Sequence, residues 1–175
     1  MNIITCIDNA YGIGNKGKLL YHIEKDMERF VELTKRSGIV IMGMETYRSI
    51  GKPLPERKNI VLTRTEQHSD FQNLQFVSNV DMIFNNPEFE NAFIIGGEEI
   101  YRLFYPFCDT AYVTYVLSRR PHDKTFPFRF YGTEWNIIYE WNTNYVDNLY
   151  FDEKEQVTYR FLKLERRKDI NERRN

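Results

Sequence analysis

The sequence predicts an α/β fold: a central mixed, mostly parallel sheet of eight strands flanked by helices, with an antiparallel edge at its C-terminal end. Three observations predict it. Short apolar runs bounded by turn residues alternate with segments of helical periodicity as far as residue 117. Glycines stand where a strand hands over to a helix, at Gly43 and at the pair Gly96-Gly97. From residue 135 the pattern changes to two long strands of alternating polarity joined by a polar turn region, the mark of an antiparallel pair.

The elements follow in order. Ile3 to Ile7 reads as a buried strand, and DNAYGIGNKGK after it as a long loop. Residues 24–35 read as a helix whose inner face carries Met27, Phe30, Val31 and Thr34, with Leu33 beside it and Gly38 as C-cap. IVIM at 39–42 is a second strand, METYRSI a short helix ended by GKPLP, and KNIVLT at 58–63 a third strand. LQFV at 74–77 is a fourth strand, 80–84 a short helix, and AFII at 92–95 a fifth strand. A helix with Ile100, Leu103, Phe104 and Phe107 at three- and four-residue spacing comes next, then AYVTYVL at 111–117 as a sixth strand. WNIIYEW at 135–141 and VTYRFLKLE at 157–165 close the sheet.

A chain of 175 residues without linkers or repeats reads as a single domain, 1–175, whose residues from about 168 form a frayed, solvated tail. A formal net charge of -1 gives no nucleic-acid footprint. Two cysteines outside any CxxC and three scattered histidines argue against a disulfide scaffold or a zinc site, and no metal is expected. The first apolar run stops at Asp8, too short for a signal peptide, and no run approaches the length of a membrane span. The expectation is a soluble, cytoplasmic protein with no membrane partner.

In sheets of this kind ligands bind beyond the carboxyl ends of the strands. Three polar or glycine-rich stretches fall there, at 8–18, 43–46 and 96–99. Glycines between a strand and a helix expose backbone N–H groups to a phosphate, though GxGxxG is absent and a plain turn explains each one alone. Asp26, in the first turn of a helix with core-facing neighbours, is placed to border an apolar region, where burial raises a carboxylate and suits it to proton transfer. The plainer reading is a first-turn acid favoured by the helix dipole. Arg57, fixed between a proline turn and a strand, has the geometry for a bidentate carboxylate clamp, but alone it reads as one half of a surface ion pair.

Taken together, these motifs resemble the dihydrofolate reductase family. GIGNKGKLLYHIEKDMERF resembles its first loop and acid-bearing helix, and IVIMGMETYRSIGKPLPERKNIVL the unit that follows. FIIGGEEIY resembles the double-glycine motif. YVTYV, KTFPF, WNIIYEW and VTYRFLKLERR continue in family order, so the resemblance runs to about residue 167.

The resemblance implies reduction of 7,8-dihydrofolate to tetrahydrofolate, with NADPH as cofactor, hydride going to C6 and a proton to N5. Asp26 would bind the pterin and help protonate N5, with Thr114 completing that network and Tyr21 holding a water near the substrate. Ile7 would border both ligands. Met27, Phe30 and Ile50 would line the substrate pocket with Leu54 beyond, and Arg57 would clamp the glutamate carboxylate. Ile13, Gly14 and the mobile-loop residue Leu19 would border the nicotinamide. Gly43, Met44, Glu45 and Thr46 would meet the phosphates. Ile95, a cis-bonded Gly96-Gly97, and the helix start at Glu98, Glu99, Ile100 and Tyr101 would meet the pyrophosphate. Antifolate inhibitors are implied ligands, and a monomer is the family default, although Tyr145, Tyr150 and Phe151 are candidates for an interface.

Three departures stand out. Leu20-Tyr21 replaces the usual Pro-Trp of the loop. Met44 stands where many relatives carry the arginine that meets the 2′-phosphate, which shifts that role to Thr63 and Arg64, with Glu45 opposing it. Glu56 replaces a glycine before Arg57. Two other readings compete: a riboflavin-pathway reductase, which would not require Asp26 and Arg57 together, and a non-enzymatic relative, supported only by the altered loop.

Overall fold

The computed structural model describes residues 1–65, 67–130, 134–138 and 149–167. A nine-stranded sheet runs through the molecule. Its members, in chain order with the helices between them, are β1 (Asn2–Asp8), β2 (Gly12–Asn15), β3 (Lys18–Leu19), α1 (Glu24–Ser37), β4 (Ile39–Gly43), α2 (Met44–Ile50), β5 (Lys58–Leu62), β6 (Leu74–Val77), α3 (Asp81–Phe84), β7 (Phe93–Gly96), α4 (Glu98–Phe104), β8 (Thr110–Val116), β9 (Lys124–Thr125), β10 (Trp135–Ile138), β11 (Tyr150–Asp152) and β12 (Val157–Arg166). The spatial order is β10-β12-β8-β1-β7-β4-β5-β6, with β11 also paired to β12, while β2, β3 and β9 form a separate small sheet. Strands β8, β1, β7, β4, β5 and β6 are parallel; β12 joins antiparallel to β8 and carries β10 and β11 in turn. The mostly parallel sheet with an antiparallel edge is thus as the sequence predicts, with β11 as a strand beyond the eight expected.

Period-two alternation divides the side chains between two faces. Ile3, Ile7, Ile41, Ile60, Ile94, Ala111, Val113, Leu162 and Leu164 point to one face and pack with Tyr101 and Phe104 of α4. Ile4, Val40, Met42, Val61 and Phe93 point to the other, beneath Phe30 and Leu33 of α1 and Tyr47 and Ile50 of α2. On that second face the register sets Cys6, Thr114 and Phe161 in one row.

α1 presents Asp26, Phe30, Leu33 and Thr34 to the sheet, while Val31 is 39% exposed. The expected inner face is therefore turned by part of a residue step. The inward stripe follows 26, 30, 33 and 34, and Val31 falls just beyond its margin. The helix ends at Gly38, whose φ of 77° is the left-handed C-cap conformation.

The segment expected to be a long loop contains β2 and β3 instead. Lys16 and Gly17 both take positive φ, and a two-residue turn of that kind closes a hairpin. β9 then pairs with β2. Residues 139–141 of the expected WNIIYEW strand, Tyr145, and the tail from 168 lie outside the described residues. Tyr150 stacks on Tyr159, and Phe151 is exposed. No helix among the described residues is long and apolar enough to cross a membrane.

Candidate active site

Asp26 sits in the first turn of α1, 7% exposed, over the row formed by Cys6, Thr114 and Phe161. Thr114 Oγ1 donates to Asp26 Oδ1 at 2.5 Å. Burial raises the Asp26 carboxyl above its ordinary value; the Thr114 bond and the Arg29 charge oppose that rise. Arg29 itself lies over the Phe161 ring at 4.6 Å. The result is a carboxyl group with one oxygen held and its protonation biased toward the acid form, the state a proton donor needs.

Ile7, expected beside both ligands, lies on the opposite face in the core with Ile3. The physical reason is alternation along β1: the residue that shares a face with Thr114 is Cys6, and Asp26 is among the charges that raise its thiol, after burial. Cys6 was missed, although the period of a strand anchored on the buried Ile3 and Ile7 already puts it on the other face.

Arg57 is buried, 4% exposed, and is not part of a surface ion pair. Its Nη1 donates to Thr34 Oγ1 at 2.8 Å and its Nε to Pro55 O at 2.9 Å, while burial lowers its pKa from the usual guanidinium value. Thr34 in turn donates to Phe30 O at 2.6 Å. Buried Asn59 ties the same loop together through Leu54 and the Arg57 carbonyl. Phe30, Ile50 and Leu54 are partly buried in the apolar cluster between α1 and α2, on the face that carries Asp26. Met27 is partly exposed beside Asp26 in sequence.

The two glycine turns are neighbours at the carboxyl edge of the sheet, because β4 pairs with β7. A Cβ at Gly43 would lie 2.9 Å from Ile100, and one at Gly97 would lie 3.4 Å from Thr46 Oγ1. Gly96 has φ 114°, and the Tyr101 ring is against it, with 3.2 Å to a Cβ there. The Gly96-Gly97 peptide is cis. Tyr101 is buried and donates to Ile4 O at 2.8 Å, so it braces the turn from below. Met44 and Ile95 are partly buried against the apolar cluster. Around this edge Glu45 pairs with Lys124 at 3.1 Å, Arg64 with Glu99 at 3.7 Å, and Glu98 with Arg102 at 3.3 Å. Thr63 folds its hydroxyl onto Thr65. The charges proposed to face a phosphate are thus exposed and paired, Arg64 with an acid from α4.

The loop brings Ile13 against the core and sets Gly14 opposite Leu19, which is 60% exposed. Tyr21 is buried; its hydroxyl donates to Asp8 Oδ2 at 3.3 Å, and burial pushes its pKa up to about 12. Asp8, which the sequence presented only as the start of a loop, is fully buried at the end of β1 and also accepts from the N–H groups of Ala10, Gly12 and Arg120. No group of three or more His, Cys, Asp or Glu among the described residues is arranged to hold a metal.

A buried, hydroxyl-bonded carboxylate on one face of a mostly parallel sheet, with two adjacent strand-to-helix glycine turns at its carboxyl edge, defines a ligand-binding α/β protein of the switch-point type. The sequence pattern described as Dihydrofolate reductase matches residues 1–166. Dihydrofolate reductase of Bacillus subtilis (strain 168) is 33% identical over 171 residues, covering 95% of each chain, and that of Staphylococcus haemolyticus is 30% identical over 167 residues with the same coverage. A solved structure described as dihydrofolate reductase from Enterococcus faecalis complexed with NADP(H) and RAB-propyl superposes with TM-score 0.76 over 95% of this chain and 96% of its own, at 23% identity, a likeness of fold. The chain belongs to the dihydrofolate reductase family. Oxidoreductase activity of the dihydrofolate reductase type goes with that membership.

Proposed function

We propose that the protein reduces 7,8-dihydrofolate to 5,6,7,8-tetrahydrofolate with NADPH. The observation that carries this reading is the buried Asp26–Thr114 pair beneath the apolar wall of α1. In this reading Asp26 accepts from the amino and ring N–H groups of the pterin and biases N5 toward its proton. Thr114 holds the carboxylate so that its second oxygen is the one presented to substrate. Phe30, Ile50 and Leu54 supply apolar wall on the same face. Arg57, braced by Thr34 and Pro55, binds the carboxylate at the far end of the substrate.

The residues present fit a dinucleotide. Gly43 and Gly97 leave the backbone of two neighbouring turns bare, with the Thr46 hydroxyl beside Gly97, which is the arrangement that lets phosphate oxygens approach N–H groups closely. NADPH, when bound, supplies the hydride for C6. The protein holds its ends, aligns the substrate and excludes water. Recognition of the 2′-phosphate falls to Arg64 with Thr63, and a monomeric, cytoplasmic enzyme open to antifolates belongs to the same proposal.

The test is oxidation of NADPH, and in parallel NADH, by purified protein with dihydrofolate, run beside an Asp26→Asn variant. Turnover that falls by about 10²–10⁴-fold in the variant is expected. Wild-type turnover that survives the substitution intact would remove Asp26 from the chemistry.

A further inference from the structure

Tyr21 is bracketed on both sides by a single ion pair. The residue before it, Leu20, offers its carbonyl to Arg120 Nη1 at 2.7 Å. The residue after it, His22, donates its backbone N–H to Glu155 Oε1 at 3.0 Å. Arg120 and Glu155 themselves are joined, Nη1 to Oε2, at 2.6 Å, and Arg120 Nη2 also donates to the Glu155 carbonyl at 3.0 Å. The same guanidinium lies over the Tyr21 ring at 4.2 Å, and the backbone N–H of Arg120 reaches Asp8, the acceptor for the Tyr21 hydroxyl.

Three separate parts of the chain meet here: the segment between β3 and α1, the loop after β8, and the turn between β11 and β12. What this junction controls follows from the chain. Ile23, two residues beyond Tyr21, is the N-cap of α1 and contributes no side-chain cap bond. Its carbonyl accepts from Met27, so it begins the turn that carries Asp26. The entry of α1 is therefore placed by the packing of buried Ile23 and by whatever holds residues 20–22.

We infer that Arg120, through its ion pair with Glu155, is a positioning residue for the reduction: it fixes Tyr21 and the entry of α1, and thereby the place of Asp26 relative to Thr114 and the substrate. The inference rests on the proposed function. Arg120 touches neither reacting group. It acts through the backbone on either side of Tyr21, which makes the latch one unit with two halves.

The experiment is a double-mutant cycle on kcat, using Arg120→Met, Glu155→Gln and the pair, with the exposed neighbour Arg119→Met as control, at a temperature where all are folded. Loss of either half should lower kcat about tenfold while the KM for NADPH stays within about twofold, since 1.4 kcal/mol of misplacement is a factor of ten. The double variant should be no slower than the slower single, because the two residues form one unit. Arg119→Met should match wild type. Singles that melt earlier but keep wild-type kcat overturn the positioning role, as do singles whose kcat losses multiply in the double. Wild-type protein that oxidises no NADPH with dihydrofolate overturns the functional reading itself, and the positioning role with it, whereas active wild type with unaffected singles overturns the latch alone.

Discussion

Asp26 shows how one side chain carries both a stability cost and a chemical use. Burial raises its carboxyl against the opposing effects of Thr114 and Arg29. The folded protein therefore holds a proton at this site at pH values where the unfolded chain, with a pKa of about 3.9, has released it. Stability falls as pH rises from the unfolded value through the raised folded one, and the cost is complete above that window. Asp26→Asn keeps an acceptor for Thr114 without the charge. Urea denaturation should find the variant equal to or below wild type at acid pH and gaining on it toward neutrality; a gap that does not move with pH contradicts the assignment. Arg64 poses the opposite case of an exposed residue with a selective task, since its pairing with Glu99 places a cation beside the second glycine turn. Arg64→Ala should raise the KM for NADPH about tenfold, the range for a hydrogen bond to a charged group, and leave the KM for NADH nearly unchanged. Equal effects on both cofactors would remove Arg64 from phosphate recognition.

At the scale of elements, α1 joins the two ends of the site, with Asp26 at its start and Thr34 two turns on. Thr34 is fully buried and is the acceptor that holds Arg57. Thr34→Val keeps the shape but leaves a buried cation short of an acceptor, which costs about 1–3 kcal/mol. The KM for dihydrofolate should rise with little change in kcat, and a substrate lacking the glutamate should be indifferent to the change. Stability and KM both unmoved would show that Arg57 does not depend on Thr34. The strands and helices of this unit were legible because their apolar periodicities are long and the glycines mark the handovers. The hairpin of β2 and β3 was not, since strands of four and two residues carry too few positions for a period. Arg57 alone read as a surface ion pair because nothing local in PLPERKNIV reports that Thr34 lies across from it. Ile7 was placed beside the ligands for a related reason: an unbroken apolar run conceals which alternate residues face α1, and only the pairing of Cys6 with Thr114 reveals it. Tyr21 and Asp8 join across a loop closure that no spacing predicts.

For the whole molecule the decisive element is β12. It is antiparallel to β8 on one side, pairs with both β10 and β11 on the other, and so stitches the late strands to the parallel sheet that carries the site. Arg166 at its end lies over the Trp135 ring at 4.6 Å and donates through Nε to Cys108 O at 2.8 Å, while Trp135 Nε1 donates to the Tyr105 hydroxyl at 2.7 Å. Leu162 and Leu164 point from β12 into the core that also contains Ile3, Ile7, Ala111 and Val113. A core continuous across β12, β8 and β1 couples the antiparallel edge to the face that carries Thr114. Leu164 is fully buried there, and Leu164→Ala should cost about 2–5 kcal/mol, the range for a buried leucine replaced by alanine. If the sheet is one cooperative body, that loss must appear as a single shifted transition, with far-UV circular dichroism, tryptophan fluorescence and NADPH oxidation failing together at lower urea. Fluorescence changing at lower urea while activity persists would show that the edge of β10, β11 and β12 unfolds apart from the site, and that β12 covers the reductase sheet without holding it together.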